Sequence, residues 1–380
     1  MEKEMILLTN ADLSIGAGDT TLIVRRAEEL YKEKAIKTKC YIYKSHKHEL
    51  PKIKSNAIEF YIAENKKKIK NSIIKNKPRY ILYYGTKILL LNRFIKKVIK
   101  KEKNKVEELI DVQGCLEETV EYNRSIKANV KFLIQKIIFR KALNEMDGCF
   151  VVSDELRKYC YKYLKEDKKN KIKFYKVRCG INDVFEPKDL LKMREDMRKK
   201  LKIDKDTIVF VYSGFRSAWQ NIDKIIEQFK VYDELYDKAF FCFFCNVDEE
   251  FEEKIRKEFP KKNYILQFAQ KENYFKYLSA CDVGMIYRDT NMTNRVAFPN
   301  KFADYLNSGL IIGINDALIE PVNILKKHKL EYLNTNVFPN NDLEKMVLGR
   351  KCDILNYYKK TFEICTSEIK YSNQIKNLEI

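Results

Sequence analysis

Three side chains in one short stretch have the types and spacing to grip a phosphate and a vicinal diol. In the stretch 281–314, CDVGMIYRDTNMTNRVAFPNKFADYLNSGLIIGI, an apolar run ends at Tyr287-Arg288-Asp289. Pro299-Asn300 then opens a short helix carrying Lys301 and Asp304, and Gly309 closes it. A helix N-terminus offers unpaired amides and the positive end of a dipole to a phosphate. Asn300 stands at that end, and Lys301 adds a full positive charge. Asp304, one turn on, can accept two hydrogen bonds from a vicinal diol such as a ribose presents.

Other candidates sit in loops that follow apolar runs. Gly16-Ala17-Gly18 lies where a dinucleotide fingerprint would sit, but the third glycine position is Thr21 and the next strand ends at Tyr43-Lys44 without an acidic ribose partner. Nicotinamide and flavin chemistry are therefore not expected. The glycines could let the backbone approach a substrate, or form a plain turn. Asp111-Val112-Gln113-Gly114, followed by Glu117 and Glu118, ends another strand-like run. Asp111 there could orient a sugar hydroxyl or act as a base; an ordinary helix cap explains the acidic residues equally well. Ser213-Gly214-Phe215-Arg216 begins the loop in which Arg216 could fork onto a phosphate. Trp219, the single tryptophan, reads as a packing anchor.

Three patterns are set aside. Asp204-Lys205-Asp206 has metal-site spacing but precedes its strand. Cys242-Phe243-Phe244-Cys245 lies inside an apolar run with no second pair at zinc spacing, and His46 and His48 sit in a polar loop. No Ser-His-Asp arrangement, HExxH or P-loop is present, and the chain has three histidines in all.

These loops need elements to hold them. Short apolar runs alternate with charged helical stretches: strands are expected at 5–9, 39–43, 79–84, 108–112, 149–153 and 173–178, with helices at 20–32, 87–101 and 126–145. After a charged connector at 189–202 the alternation restarts, with strands at 207–212, 239–245, 264–267, 283–287 and 310–314. Helices are expected there at 222–235 and 248–258. From Pro321 onward a surface helix and loops are expected, and 353–380 reads as a charged terminal helix. Two such runs predict an α/β chain of two Rossmann-like domains facing across a cleft, residues 1–184 and 185–350, with 351–380 returning to the first.

At 380 residues and 45% hydrophobic content the chain can bury two cores. No uncharged apolar run reaches membrane-spanning length, and MEKEMILLTN reads as a strand instead of a signal peptide. Ten cysteines without framework spacing fit a reducing cytosol. The net charge of +20 suits an acidic partner, such as anionic lipid or a phosphorylated substrate, or reflects lysines on solvated faces. Nucleic acid is not expected, because no helix-turn-helix, zinc finger or aromatic RNA-binding strand is found.

Taken in order, these pieces resemble glycosyltransferases of the GT-B fold, and among them the family 4 type. Pro299-Asn300-Lys301-Phe302-Ala303-Asp304-Tyr305-Leu306 with Gly309 is similar to that family's P-T-K-x-x-E-Y-L-x-x-G block, and Cys281-Asp282-Val283-Gly284 to its A-D-V-G. Asp111–Gly114, Val151–Leu156 and Arg178–Asn182 resemble its D-x-H-G, V-S-x-x-L and P-N-G-I-D segments. The chain departs from the pattern where the family's diphosphate-clamping Arg and Lys would fall, on Phe215 and Gln220. It departs again where the first of two glutamates becomes Val296 and a histidine becomes Gln113.

The resemblance implies a hexosyltransferase-type enzyme, retaining and metal-independent, with no cofactor beyond a nucleotide-diphosphate sugar donor. The acceptor would be a glycan or lipid-linked glycan in surface polysaccharide synthesis. Asp111, Arg288 and Lys301 would carry the chemistry. Gly16, Gly18, Gly214, Arg216, Asn300, Lys301 and Asp304 would hold the substrates. The basic helix around Arg93–Lys105 would rest on anionic lipid at the cytosolic membrane face. A sugar-nucleotide epimerase, a phosphorylase and a non-catalytic subunit of another transferase are the rival readings.

Overall fold

The computed structural model describes residues 3–14, 18–44, 49–103, 105–339 and 342–380. Gly16, His46 and His48 lie outside them. The chain divides into two compact units, Met1–Asn182 with Tyr371–Ile380, and Asp183–Lys370.

In the first unit seven strands form one sheet: β1 Lys3–Thr9, β2 Ile36–Tyr43, β3 Ile58–Ala63, β4 Tyr80–Tyr84, β5 Glu107–Val112, β6 Gly148–Val151 and β7 Lys173–Lys176. Their order is β3-β2-β1-β4-β5-β6-β7, with parallel pairing throughout. Central strands are sealed on both faces: all five residues of β4, YILYY, are buried. That is why they read as continuous apolar runs.

The second unit repeats the plan with six strands, β8 Ile208–Ser213, β9 Ala239–Phe244, β10 Tyr264–Gln267, β11 Val283–Ile286, β12 Ile311–Ile314 and β13 Leu333–Asn334, in the order β10-β9-β8-β11-β12-β13. Its core is aromatic. Phe210 stacks on Tyr232 at 4.8 Å between ring centres and on Phe241 at 5.5 Å, and Phe229 tilts against Phe241 at 5.1 Å. Truncating one such ring to alanine costs about 3–5 kcal/mol. Cys242 and Cys245 are both buried free thiols, Cys245 within this core. Asp204-Lys205-Asp206 is an exposed loop preceding β8.

Several elements differ from expectation. β3 and the helix Lys66–Asn76 were not anticipated: IEFYIA is only partly buried at the sheet edge, and KKKIKNSIIKN has too few apolar positions to show a stripe. The helix expected over 87–101 is two pieces, a tight turn Lys87–Leu91 and a helix Asn92–Glu102. The segment expected as a surface helix after Pro321 is the helix Ile319–Lys327, in which Glu320, Pro321, Val322, Ile324 and Leu325 are buried. β13 follows it, too short for periodicity to reveal.

The expected single terminal helix is broken. Ile354–Ile364 packs in the second unit, a wide turn Cys365–Ile369 interrupts it, and Tyr371–Lys376 belongs to the first. There the final segment packs on the helix Asp19–Lys34, where Lys34 Nζ donates to the carbonyls of Lys376 (2.8 Å) and Leu378 (2.7 Å).

Candidate functional site

In the second sheet the strand order turns outward in both directions from β8 and β11, so the loops after these two strands flank the switch point where open α/β sheets gather ligands. The loop after β8 begins with Gly214 and the loop after β11 contains Arg288. The helix Asn300–Asn307, between β11 and β12, supplies Asn300, Lys301 and Asp304. Five expected residues therefore meet in one unit.

Close packing fixes this helix. A Cβ on Gly284 would lie 2.4 Å from the Tyr305 ring, so only glycine lets that ring sit against β11. Tyr305 Oη in turn accepts from the Ser213 amide at 2.9 Å, joining the helix to the end of β8. Burial pushes the Tyr305 phenol up, so it stays protonated. The first amides of the helix, on Asn300 and Lys301, have no acceptor among the described residues, as expected at an N-terminus.

Lys301 is the unusual member. It is 7% exposed, and its Nζ, fully buried, has no hydrogen-bond partner among the described residues. The ammonium lies 4.2 Å from the centre of the Tyr212 ring. Gly214, with φ +116°, passes so close that an added Cβ would lie 3.5 Å from both Lys301 Cε and Nζ. A side chain at that φ would also be strained. Burial drives the Lys301 pKa well below its usual 10.5, and the Arg288 charge pushes it in the same direction. A cation so placed is stabilised by an incoming anion.

Asp304, one turn on, is 8% exposed, and its Oδ2 accepts from Tyr274 Oη at 3.4 Å. Tyr274 Oη also lies 2.9 Å from Ser213 Oγ. Tyr274 and Ser213 thus belong to the same polar cluster. Sequence gave no signal for Tyr274, which lies in the helix Lys271–Ser279, away from every motif. Arg288 is 4% exposed; Nη1 donates to the Trp219 carbonyl at 2.6 Å, and its own carbonyl accepts from Asn315 Nδ2 at 2.6 Å. Trp219 is only half-buried and serves the site through its backbone.

Arg216 makes its contacts outside this group. It pairs with Asp248 and lies over the Phe251 ring at 4.4 Å. Asp248 caps the helix Glu249–Glu258, which anchors the pair.

The remaining candidates belong to the first unit. Asp111 is buried in β5, where it accepts from Arg26 Nη1 at 2.8 Å and from Gln113 Nε2. Burial raises its pKa, and Arg26 opposes that rise. Gly18, with φ +57°, precedes the helix Asp19–Lys34. Asp19 in its first turn accepts from Tyr84 Oη at 2.8 Å.

No family model matches the sequence, and no curated protein is similar to it. Solved structures share its architecture, which is GT-B: two parallel-sheet, Rossmann-like domains. Sucrose-phosphate synthase from Thermosynechococcus elongatus superposes with a TM-score of 0.69 at 12% identity, over 98% of this chain and 96% of that one. HepE of Anabaena, in complex with UDP, gives 0.67 at 9% identity, over 98% and 97%. WaaG, a glycosyltransferase involved in lipopolysaccharide biosynthesis, gives 0.63 at 10% identity, over 98% and 97%. At these identities the likeness fixes the fold.

Proposed function

We propose that the chain is a glycosyltransferase that takes a sugar from a nucleotide-diphosphate donor held by its second unit. The observation that carries this reading is the buried, unpartnered ammonium of Lys301 at a helix N-terminus beside Gly214. An uncompensated buried cation is costly, and a diphosphate would relieve that cost. Neighbours of this fold crystallised with UDP, UDP-glucose or UDP-2-fluoro glucose support a sugar nucleotide as that anion.

In this reading Asp304 holds the ribose diol, while Lys301 and Arg288 stabilise the departing diphosphate as charge grows on it. The Asn300 and Lys301 amides complete the phosphate cradle. Arg216 would join only by leaving Asp248. Asp111 stays out of the chemistry, since its carboxylate is already engaged by Arg26 and Gln113. The reaction is retaining and needs no metal, and the acceptor is a glycan or lipid-linked glycan of a surface polysaccharide, met at the cytosolic membrane face. Among the described residues no helix is long and apolar enough to cross a membrane.

A thermal-shift screen of UDP-, GDP-, ADP- and CMP-sugars tests the donor site. One class should raise the melting temperature, because ligand at 100 times its Kd stabilises by about 2.7 kcal/mol. Asp304→Ala should abolish the shift. No shift with any sugar nucleotide, or one that survives in Asp304→Ala, would overturn the assignment.

A further inference from the structure

The helix Ile126–Leu143 packs inward through Ala128, Phe139, Ala142 and Leu143. Its opposite side is apolar as well. Ile126 is 84% exposed, Ile137 70%, Leu133 57%, Ile134 52% and Val130 51%. At 3.6 residues per turn these five fall within about 100° of the helix circumference, forming one stripe. Scattered exposed leucines are ordinary, but a continuous apolar stripe marks a surface that something covers. Leu90, 64% exposed, lies on the turn Lys87–Leu91, which packs against this helix.

Cations flank the stripe. By the same helical count Lys127 and Lys131 run along one margin, and Lys136 and Arg140 along the other; all four are exposed. At the end of the stripe Lys141 joins Arg93, Lys97 and Lys100 of the neighbouring helix Asn92–Glu102 in lining an open depression of about 560 Å³, which Lys96 and Glu145 complete. Lys96 is paired with Glu145 at 3.2 Å, whereas Arg93, Lys97, Lys100 and Lys141 make no ion pair among the described residues. The helix Ile126–Leu143 contains no Asp or Glu. A two-fold pairing of this face with a second copy would set lysine rows against each other, so charge argues for an anionic occupant.

We propose that this face is a membrane-docking surface. The stripe from Ile126 to Ile137 enters the boundary between headgroups and acyl chains of an anionic bilayer, and the flanking Lys and Arg side chains reach lipid phosphates. Helices that lie in the interface have this division of apolar stripe and basic margins, and their binding adds apolar burial to attraction for anionic lipid. The proposal deepens the membrane-face part of the proposed function by identifying the contact surface; it does not depend on donor chemistry.

Flotation with vesicles of phosphatidylcholine alone, and of phosphatidylcholine mixed equally with phosphatidylglycerol, tests it. The chain should float with the mixed vesicles and stay behind with the neutral ones. Leu133→Asp/Ile137→Asp should lower the partition coefficient on the order of 100-fold, and Lys97→Glu/Lys100→Glu on the order of 20-fold. These positions are exposed, so circular dichroism and nucleotide-sugar thermal shifts should match the parent chain. A tryptophan placed by Leu133→Trp should shift to the blue on vesicle binding and be quenched by brominated acyl chains. Absence of flotation, or unchanged flotation in the stripe variant, would overturn the proposal. So would a parent dimer that the stripe variant turns into monomer while vesicle binding is missing. If flotation holds but no sugar nucleotide binds, the donor reading falls and the docking surface stands.

Discussion

Asp282 and Lys301 are both buried charges of the second unit, but their surroundings differ in kind. Asp282, just before β11, accepts from Arg194 (2.5 Å), Arg350 (2.9 Å), Arg198 (3.3 Å) and the Val209 amide (2.9 Å). Burial pushes its carboxyl up, yet Arg194, Arg350 and Arg198 together bring it from 3.8 down to about 2. Lys301, beyond the carboxyl end of β8, has an aromatic face and no hydrogen-bond acceptor among the described residues. Parallel strands give a sheet two unlike edges. At the amino edge here the buried carboxylate has every hydrogen bond answered from within the fold, and the carboxyl edge leaves a charge to be matched from outside. The difference separates a residue kept for stability from one kept for binding.

Replacing each residue is the sharpest way to break that contrast. Asp282→Asn leaves three guanidinium groups without their carboxylate and should cost about 3–5 kcal/mol in urea unfolding. A loss below about 1 kcal/mol would remove the contrast. Lys301→Met should leave stability unchanged or raised, since it removes an amine whose charged form burial penalises, while turnover of a sugar nucleotide falls by on the order of 10²-fold or more. Comparable losses of stability in the two variants would make Lys301 structural.

Proton linkage separates them further. The folded Asp282 pKa lies below its unfolded value, so its contribution is complete above about pH 4 and disappears as pH falls toward about 2. Acid unfolding of the parent chain should therefore steepen across that window, and Asp282→Asn should lose the steep part. Lys301 has the reverse linkage. Its folded pKa is depressed, so the unfolded chain holds the extra proton and stability rises with pH up to about 10.4. A diphosphate restores the charged form, so nucleotide binding should take up a proton and strengthen as pH falls. Calorimetry in buffers of unlike ionisation enthalpy would measure the uptake, and Lys301→Met should abolish it.

The smallest effect belongs to Arg216. Its partner Asp248 is exposed and the pair is open to solvent on that side, so Arg216→Ala should cost about 1 kcal/mol of stability or less. A large loss of turnover in that variant would show that the side chain leaves Asp248 to meet the donor.

The helix Asn300–Asn307 and the Gly214 turn were legible because their signals are local: a proline at the cap, a lysine and an aspartate on successive turns, a glycine after a strand. The Arg216–Asp248 pair was not, since it joins residues far apart in sequence. Nor was the chemistry of Asp282 beyond its motif: the guanidinium groups that surround it come from the connector helix and from Arg350, far from it in sequence. The outward face of Ile126–Leu143 was hidden for another reason. Apolar residues on both sides of a helix cancel the periodicity by which a single buried face is recognised.

The chain leaves its first unit at Asn182 and re-enters it at Tyr371. During synthesis the second unit is therefore complete while the first still lacks its last segment, with the docking ground for Tyr371–Lys376 on Asp19–Lys34 uncovered. Domains generally fold as units and in order of emergence; here the earlier one must wait for the later. A stop codon after Lys370 would spare the second unit and damage the first, the reverse of what truncation at a carboxyl end ordinarily does.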